Sequence, residues 1–284
     1  MKGYEGDLIM NDYQKVSFEI LKVFIDICEK LNLKYYLACG SVLGTVKYHG
    51  FIPWDDDIDV CLLRPDYEIF VREAPQYLPP YLFLQNYKTD PAFPSITSKI
   101  RDCRTTWIEK GVAHLDINHG IYLDVFPIDG YPKDIKAQKE LEKRKMAFER
   151  VRALSYSTKY NPFSIRTNLV ILKKKLFGKG KSSFENIREY EKLVSKYSPF
   201  DSEVWCNHGN WQGKLEYADK SQYGEGVSAI FEGIEVRIPE DYDAYLTQKY
   251  GDWRADLPLN KRNSGHDILI MDASKSYLEY IRKT

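Results

Sequence analysis

"LACGSVLGTVKYHGFIPWDDDIDV", residues 37–60, carries a Gly-Ser pair near one end and four aspartates, Asp55, Asp56, Asp57 and Asp59, within five positions at the other. The aspartates run directly into Val60, Cys61, Leu62 and Leu63, an apolar stretch with the composition of a buried strand. Alternate side chains of a strand share a face, so Asp55, Asp57 and Asp59 are predicted to project together while Ile58 and Val60 enter the core. Carboxylates packed so closely raise one another's pKa and oppose folding unless a cation or a basic side chain lies among them. Hard oxygen donors in this number suit magnesium or manganese. Upstream, a strand, then Gly40-Ser41, then a short helix is a device for presenting backbone N–H groups and a hydroxyl to a phosphate. The competing reading of the aspartates alone is a solvated acidic loop that caps a strand.

Outward from this stretch, the apolar residues Val16, Ile20, Val23, Phe24, Ile27 and Leu31 recur at helical spacing behind an Asn11/Gln14 capping pair. Strands are predicted at 34–39, 57–63, 81–87, 95–101 and 121–126, with short helices at 42–48 and after Pro65. Residues 133–158 read as a charged helix, and 182–198 as a second one opened by a Ser182/Glu185 capping box. Residues 227–239 read as a hairpin turning at Glu232-Gly233, followed by a helix, polar loops and one more helix. The fold class expected is α+β, a mixed sheet with flanking helices and a helical middle insertion. The division expected is a catalytic core over 1–132, a helical region over 133–200, and a hairpin and helices over 201–284 that complete the same domain.

Composition narrows the partners. The 284 residues are 43% hydrophobic, enough for a sizeable core, and the 41 basic residues match the 41 acidic ones, so no global field draws the chain to nucleic acid. Cys28, Cys39, Cys61, Cys103 and Cys206 are odd in number and form no CxxC pair, which favours reduced thiols and a cytoplasmic setting. Neither a signal peptide nor a membrane-spanning apolar run is read from the sequence.

Several motif readings fail on their own chemistry. An EF-hand loop beginning at Asp55 would need Gly at its sixth position and Glu at its twelfth, where the chain has Val60 and Asp66. "GKGKS" (178–182) lacks the first glycine of a P-loop, since Lys175 stands there, and a Lys-rich helical stretch replaces the strand that should precede it. The basic stretch around Leu169–Phe177 reads as a solvated helix face, with peripheral contact to anionic lipid as its alternative. Cys206 and His208 have no second pair at zinc-finger spacing.

Strand, Gly-Ser, helix and an Asp-hydrophobic-Asp strand, together with Asp124 in "GIYLDVFPID", look like the nucleotidyltransferase fold. "LACGSVLGTVKYHGFIPWDDDIDV" closely resembles the hallmark segment of the LicD family of bacterial phosphocholine transferases, distant relatives of which include fukutin and fukutin-related protein. The likeness extends to "SKIRDCRTTW" (98–107), "GIYLDVFPIDGYP" (120–132), "PEDYDAYLTQKYGDW" (239–253) and "KRNSGH" (261–266). It implies transfer of a phospho-alcohol from a CDP-linked donor, such as CDP-choline, to a sugar hydroxyl of a cell-surface glycan or a lipid-linked precursor, at the inner face of the membrane. It further implies Asp57, Asp59 and Asp124 as catalytic metal ligands for magnesium or manganese, with Asp124 also a candidate to take the acceptor's proton. Gly40 and Ser41 would cradle a phosphate, and Lys99 and Arg101 would neutralise the diphosphate, their alternative being an exposed basic strand face. Lys47 stands where relatives often carry Arg and would make a point contact. His266 would touch nucleotide or acceptor, Trp54 would be a stacking wall or a core aromatic, and Asp129 reads as a turn residue. Two other functions fit the residues: a true nucleotidyltransferase releasing pyrophosphate, and a non-catalytic glycan- or cation-binding copy of the fold.

Overall fold

The computed structural model describes residues 10–155, 183–209 and 213–281. Helix α1 (Asp12–Lys30) starts where a reciprocal cap forms: the Gln14 N–H donates to Asn11 Oδ1 at 2.9 Å, and the Asn11 N–H to Gln14 Oε1 at 3.0 Å. Its apolar stripe, including Ile20, Leu21, Phe24 and Ile27, is buried against the sheet, where Phe24 meets Tyr35 and Phe70 edge-on or tilted.

The main sheet contains β1 (Tyr35–Leu37), β2 (Asp59–Leu63), β3 (Leu82–Gln85), β4 (Ser98–Asp102) and β6 (Ile121–Gly130), in the order β1-β2-β6-β4-β3. Strands β7 (Val204–Cys206) and β8 (Tyr217–Asp219) extend it from the far end of β6. Among the described residues only β2 and β6 pair in parallel within this sheet, so it is mixed and the fold is α+β, as expected. Val60, Cys61 and Leu62 are all fully buried, which explains why β2 reads as a continuous apolar run: layers cover both of its faces.

Between β1 and β2 lies α2 (Cys39–Tyr48), and α3 (Arg64–Glu73) follows β2 directly with Pro65 in its first turn. The helix α2 begins three residues earlier than expected, so Gly40 and Ser41 belong to its first turn instead of to a turn ahead of it. Strand β2 begins at Asp59, and residues 55–58 form its approach. Helices α4 (Ile135–Ser155) and α5 (Ser183–Val194) pack together through Leu141, Phe148, Ile187 and Tyr190 in a smaller apolar cluster. Ser182 of the expected capping box and the basic stretch around Leu169–Phe177 lie outside the described residues.

The C-terminal part supplies the short α6 (Lys220–Tyr223), the hairpin β9 (Val227–Phe231) and β10 (Ile234–Ile238), and α7 (Tyr242–Tyr250). The hairpin turns at Glu232-Gly233 as the sequence indicates, both at positive φ. Tyr223, Phe231, Val236, Tyr245 and Leu246 join the main core alongside residues of α1 and β2. Strand β11 (Ile268–Asp272) returns to pair antiparallel with β5 (Thr106–Glu109), and the one-turn α8 (Leu278–Ile281) follows. No helix among the described residues is long and apolar enough to cross a membrane, and all five cysteines are free thiols.

Candidate active site

Parallel register brings the chemistry together: Asp59, the first residue of β2, lies directly beside Asp124 of β6, and Lys99 of β4 lies directly across from Asp124 on its other side. Three neighbouring strands therefore present a row of carboxylate, carboxylate and ammonium at one level of the sheet. Lys99 Nζ donates to Asp124 Oδ2 at 2.8 Å and rests 3.3 Å from the centre of the Tyr122 ring. Asp57, two residues ahead of the strand, completes a trio in which one oxygen each from Asp57, Asp59 and Asp124 lies within 4.8 Å of the others. They line a cavity of about 430 Å³.

Burial opposes ionisation here. It pushes Asp57 up to about 8, the charge of Asp55 adding to the effect, and carries Asp59 well above the usual carboxylate range, with Asp57 and Asp124 as the next contributors. Asp55 is raised to about 6 by burial and by Asp56. The positive side chains present answer only part of this charge. Three hard oxygen donors that converge within a cation's reach and gain by sharing a positive charge fit magnesium or manganese.

His266 enters from the C-terminal segment, its Nδ1 2.6 Å from Asp56 Oδ1 and its Nε2 3.7 Å from Asp57 Oδ2. Burial alone would lower its pKa, but the Asp56 hydrogen bond and the Asp57 charge outweigh that and raise it to about 10. Asp56, Asp57 and His266 form a second close group beside the first. Asp56 was not assigned a role from sequence; a partner 210 residues away left no local signal.

The other expected site residues divide. Gly40 lines the cavity, and a Cβ there would come 2.7 Å from Asp55 Oδ2, so glycine lets the approach loop close over the helix start. Ser41 faces the strand: its hydroxyl accepts the Asp59 N–H at 2.9 Å and so fixes the backbone that carries the carboxylate. Arg101 reaches the cavity wall but is buried, donating to Gln85 Oε1 and to the Gly120 carbonyl and lying 4.8 Å from the Tyr122 ring centre. Burial lowers its pKa. The exposed-strand alternative for Lys99 and Arg101 fails, since both pack on Tyr122. Lys47 is not brought to the carboxylates: its ammonium donates to the carbonyls of Trp253, Arg254 and Ala255 and pairs with Asp256 at 3.2 Å, tying α2 to the following loop. Trp54 is half-buried, edge to face with Tyr48, and so is no core aromatic.

Asp129 is neither a turn residue nor part of the site. It is fully buried near the end of β6 and accepts two hydrogen bonds from Arg64, at 2.7 Å each. Sequence reasoning also passed over Tyr122, Glu109 and Tyr250, all of which line the cavity. For Tyr122 the signal existed, because a residue two before Asp124 on one strand shares its face.

Residues 32–150 match the family described as LicD/FKTN/FKRP, nucleotidyltransferase domain. The chain is 29% identical over 270 residues to the lipopolysaccharide cholinephosphotransferase LicD of Haemophilus influenzae, an alignment that spans 92% of this chain and 97% of that protein. An uncharacterized protein of Rickettsia prowazekii is 29% identical over 124 residues, 44% of this chain and 43% of its own length.

Proposed function

We propose that this chain, which carries a LicD-family domain, transfers a phosphocholine-type phospho-alcohol from a CDP-linked donor to a sugar hydroxyl of lipopolysaccharide or a related cell-surface glycan. The observation that carries this reading is the meeting of Asp57, Asp59 and Asp124 at one point of the cavity wall, with Lys99 beside them. The near full-length likeness to a lipopolysaccharide cholinephosphotransferase supports the choice of donor and acceptor.

In this reading Asp57, Asp59 and Asp124 hold magnesium or manganese, which when bound supplies charge neutralisation at the phosphate oxygens. Lys99 is placed to lend its ammonium to the diphosphate, leaving Asp124, and the Tyr122 ring beneath keeps that ammonium within the cavity. The sugar oxygen bonds to the phosphorus that carries the alcohol, the bond from that phosphorus to the bridging oxygen breaks, and CMP leaves with the electron pair. Asp124 takes the hydroxyl proton. Gly40 keeps the cavity floor open for the donor's phosphates. A lipid-linked acceptor would bring the chain to the inner face of the membrane as a peripheral protein.

The test is CMP release from CDP-choline in the presence of lipopolysaccharide, with magnesium and then with EDTA. Metal-dependent release with choline appearing on the glycan is the expected result. Pyrophosphate release from CTP, with CDP-choline untouched, would replace this reading with nucleotidyl transfer.

A further inference from the structure

On α4 the residues Lys136, Lys139, Lys143, Met146 and Arg150 recur at alternating intervals of three and four, which sets them in one stripe along the helix, with Ile135 beside its N-terminal end. All six are exposed. The stripe is about 20 Å long and holds no carboxylate. Glu142 turns inward to accept from the Tyr131 and Tyr217 hydroxyls, Glu149 pairs with Arg152 at 2.8 Å, and Glu140, at the edge of the stripe, pairs with Arg144 at 3.3 Å. Among the described residues no carboxylate pairs with Lys136, Lys139, Lys143 or Arg150. We infer that this face of α4 docks the chain on a bilayer surface of anionic headgroups, with its cations against the headgroup charges and Ile135 and Met146 seated among them.

Acidic and basic residues balance over the whole chain, so a local surplus of positive charge is what an anionic surface meets. Cations three and four residues apart on a helix repel one another, and a face built only for water relieves this with interleaved carboxylates, as Glu140 does for Arg144. The stripe lacks that relief. Its two apolar side chains decide between partners: a nucleic acid, gripped at its phosphates and stacked or read at its bases, would leave Ile135 and Met146 in water, whereas a bilayer interface covers them. The outer groove between α4 and α5 continues the surface, with Arg144, Lys192 and Lys196 against Glu189, the one carboxylate among the described residues that line it. On the opposite side of α4, Arg152 lines the carboxylate cavity. Docking through the outer face therefore holds that cavity about 10 Å, one helix diameter, from the headgroups and within reach of a lipid-linked sugar; this last step rests on the transfer proposed above.

The experiment measures partition of the full chain onto vesicles of phosphatidylcholine alone and of phosphatidylcholine with phosphatidylglycerol. The unaltered chain should bind only the anionic vesicles, and failure to bind them overturns the inference. Lys139→Gln/Lys143→Gln/Arg150→Gln should weaken that binding on the order of 10²-fold. The control Lys15→Gln/Lys22→Gln/Lys30→Gln in α1, which changes net charge equally, should bind as the unaltered chain does. No loss in the α4 variant, or equal loss in both, overturns the inference. Ile135→Ser/Met146→Ser then separates a bilayer from a soluble polyanion: about tenfold weaker binding to anionic vesicles with heparin binding unchanged supports the docking face. Unchanged vesicle binding, or equal loss on heparin, overturns it. Absence of CMP release from CDP-choline would overturn the transfer reading alone, because the vesicle measurements use no donor and judge the docking face by themselves.

Discussion

The β2/β6 pair has two ends, and they treat buried charge in opposite ways. At one end Asp59 and Asp124 lie side by side as like charges, with Asp57 added to them. Five residues further along the chain from each, Arg64, the first residue of α3, meets Asp129 of β6 in a two-bonded ion pair, with Glu191 3.5 Å from the same guanidinium. The second end is matched and holds itself together. The first is not, and its backbone is secured from outside: the Ser41 hydroxyl on the Asp59 N–H, the Gln14 amide on the Asp55 carbonyl at 2.8 Å, and the Glu232 carboxylate on the Phe51 N–H at 3.0 Å. On the proposed function, mismatched charge marks the end that would work on a ligand, and matched charge the end that supports the fold.

The largest effect should come from neutralising the mismatched end. Asp59→Asn would remove one of the three oxygen donors proposed to hold the cation and should cost turnover on the order of 10³-fold. Because burial already penalises the Asp59 charge, the metal-free variant should be at least as stable as the parent. Thermal unfolding and CMP release, measured on the same preparation, check both halves. A destabilised variant with intact turnover would break the comparison.

At the matched end the two readouts exchange places. Arg64 and Asp129 have side chains 5% and 0% exposed, so Arg64→Met strands a buried carboxylate and should cost about 3–5 kcal/mol in denaturant unfolding. The molecules that stay folded should keep their metal dependence. The double variant Arg64→Met/Asp129→Leu should recover most of that loss, since it removes the stranded charge along with its partner.

The sequence made these two ends legible to different degrees. Asp55, Asp57 and Asp59 could be grouped because like charge ahead of an apolar run is conspicuous, whereas Asp124 joined them only through the family resemblance of its strand; the Asn11/Gln14 cap and the Glu232-Gly233 turn carry local signatures. Arg64–Asp129 could have followed by register: once Asp59 is aligned with Asp124 in parallel, the equal offsets set Arg64 beside Asp129. The β5–β11 ladder was hidden for a physical reason. Ile268 and Ile270 turn inward while Leu269 and Met271 stay exposed, so the alternation that would announce a strand is blurred by apolar residues on both faces. The capture of His266 by Asp56 depends on that ladder and was equally unreadable.

Metal and pH should separate the ends a third way, with a smaller effect because solvent reaches the cluster through the cavity. Asp57, pushed up to about 8, and His266, raised to about 10, both have folded pKa values above their unfolded ones. Each therefore contributes stability that is fully present below its unfolded pKa and is lost as pH rises through its folded one. Without divalent cations the melting temperature should fall between roughly pH 4 and pH 10. Magnesium should flatten that decline by neutralising the carboxylates, and Asp57→Asn should reduce it without metal, Asp55, Asp59 and His266 supplying the remainder. A slope unchanged by both would place its origin elsewhere.

The smallest effect is expected at Ser41, and it sharpens the comparison most because two roles for that hydroxyl predict different readouts. As the acceptor for the Asp59 N–H, its removal in Ser41→Ala leaves a buried donor unmet, at a cost of about 1–3 kcal/mol in stability. Turnover should then fall only severalfold, through looser placement of the Asp59 carboxylate, and more magnesium should be needed to reach half-maximal rate. A hydroxyl that cradled the donor's phosphate would instead raise the KM for CDP-choline at saturating magnesium and spare stability. Titrating magnesium and donor separately against the variant distinguishes the two, because anchoring moves the metal requirement and phosphate contact moves the donor KM. The first outcome would mean that the Gly-Ser pair serves the carboxylates from behind, as the uncharged anchor that a cluster of like charges cannot provide for itself.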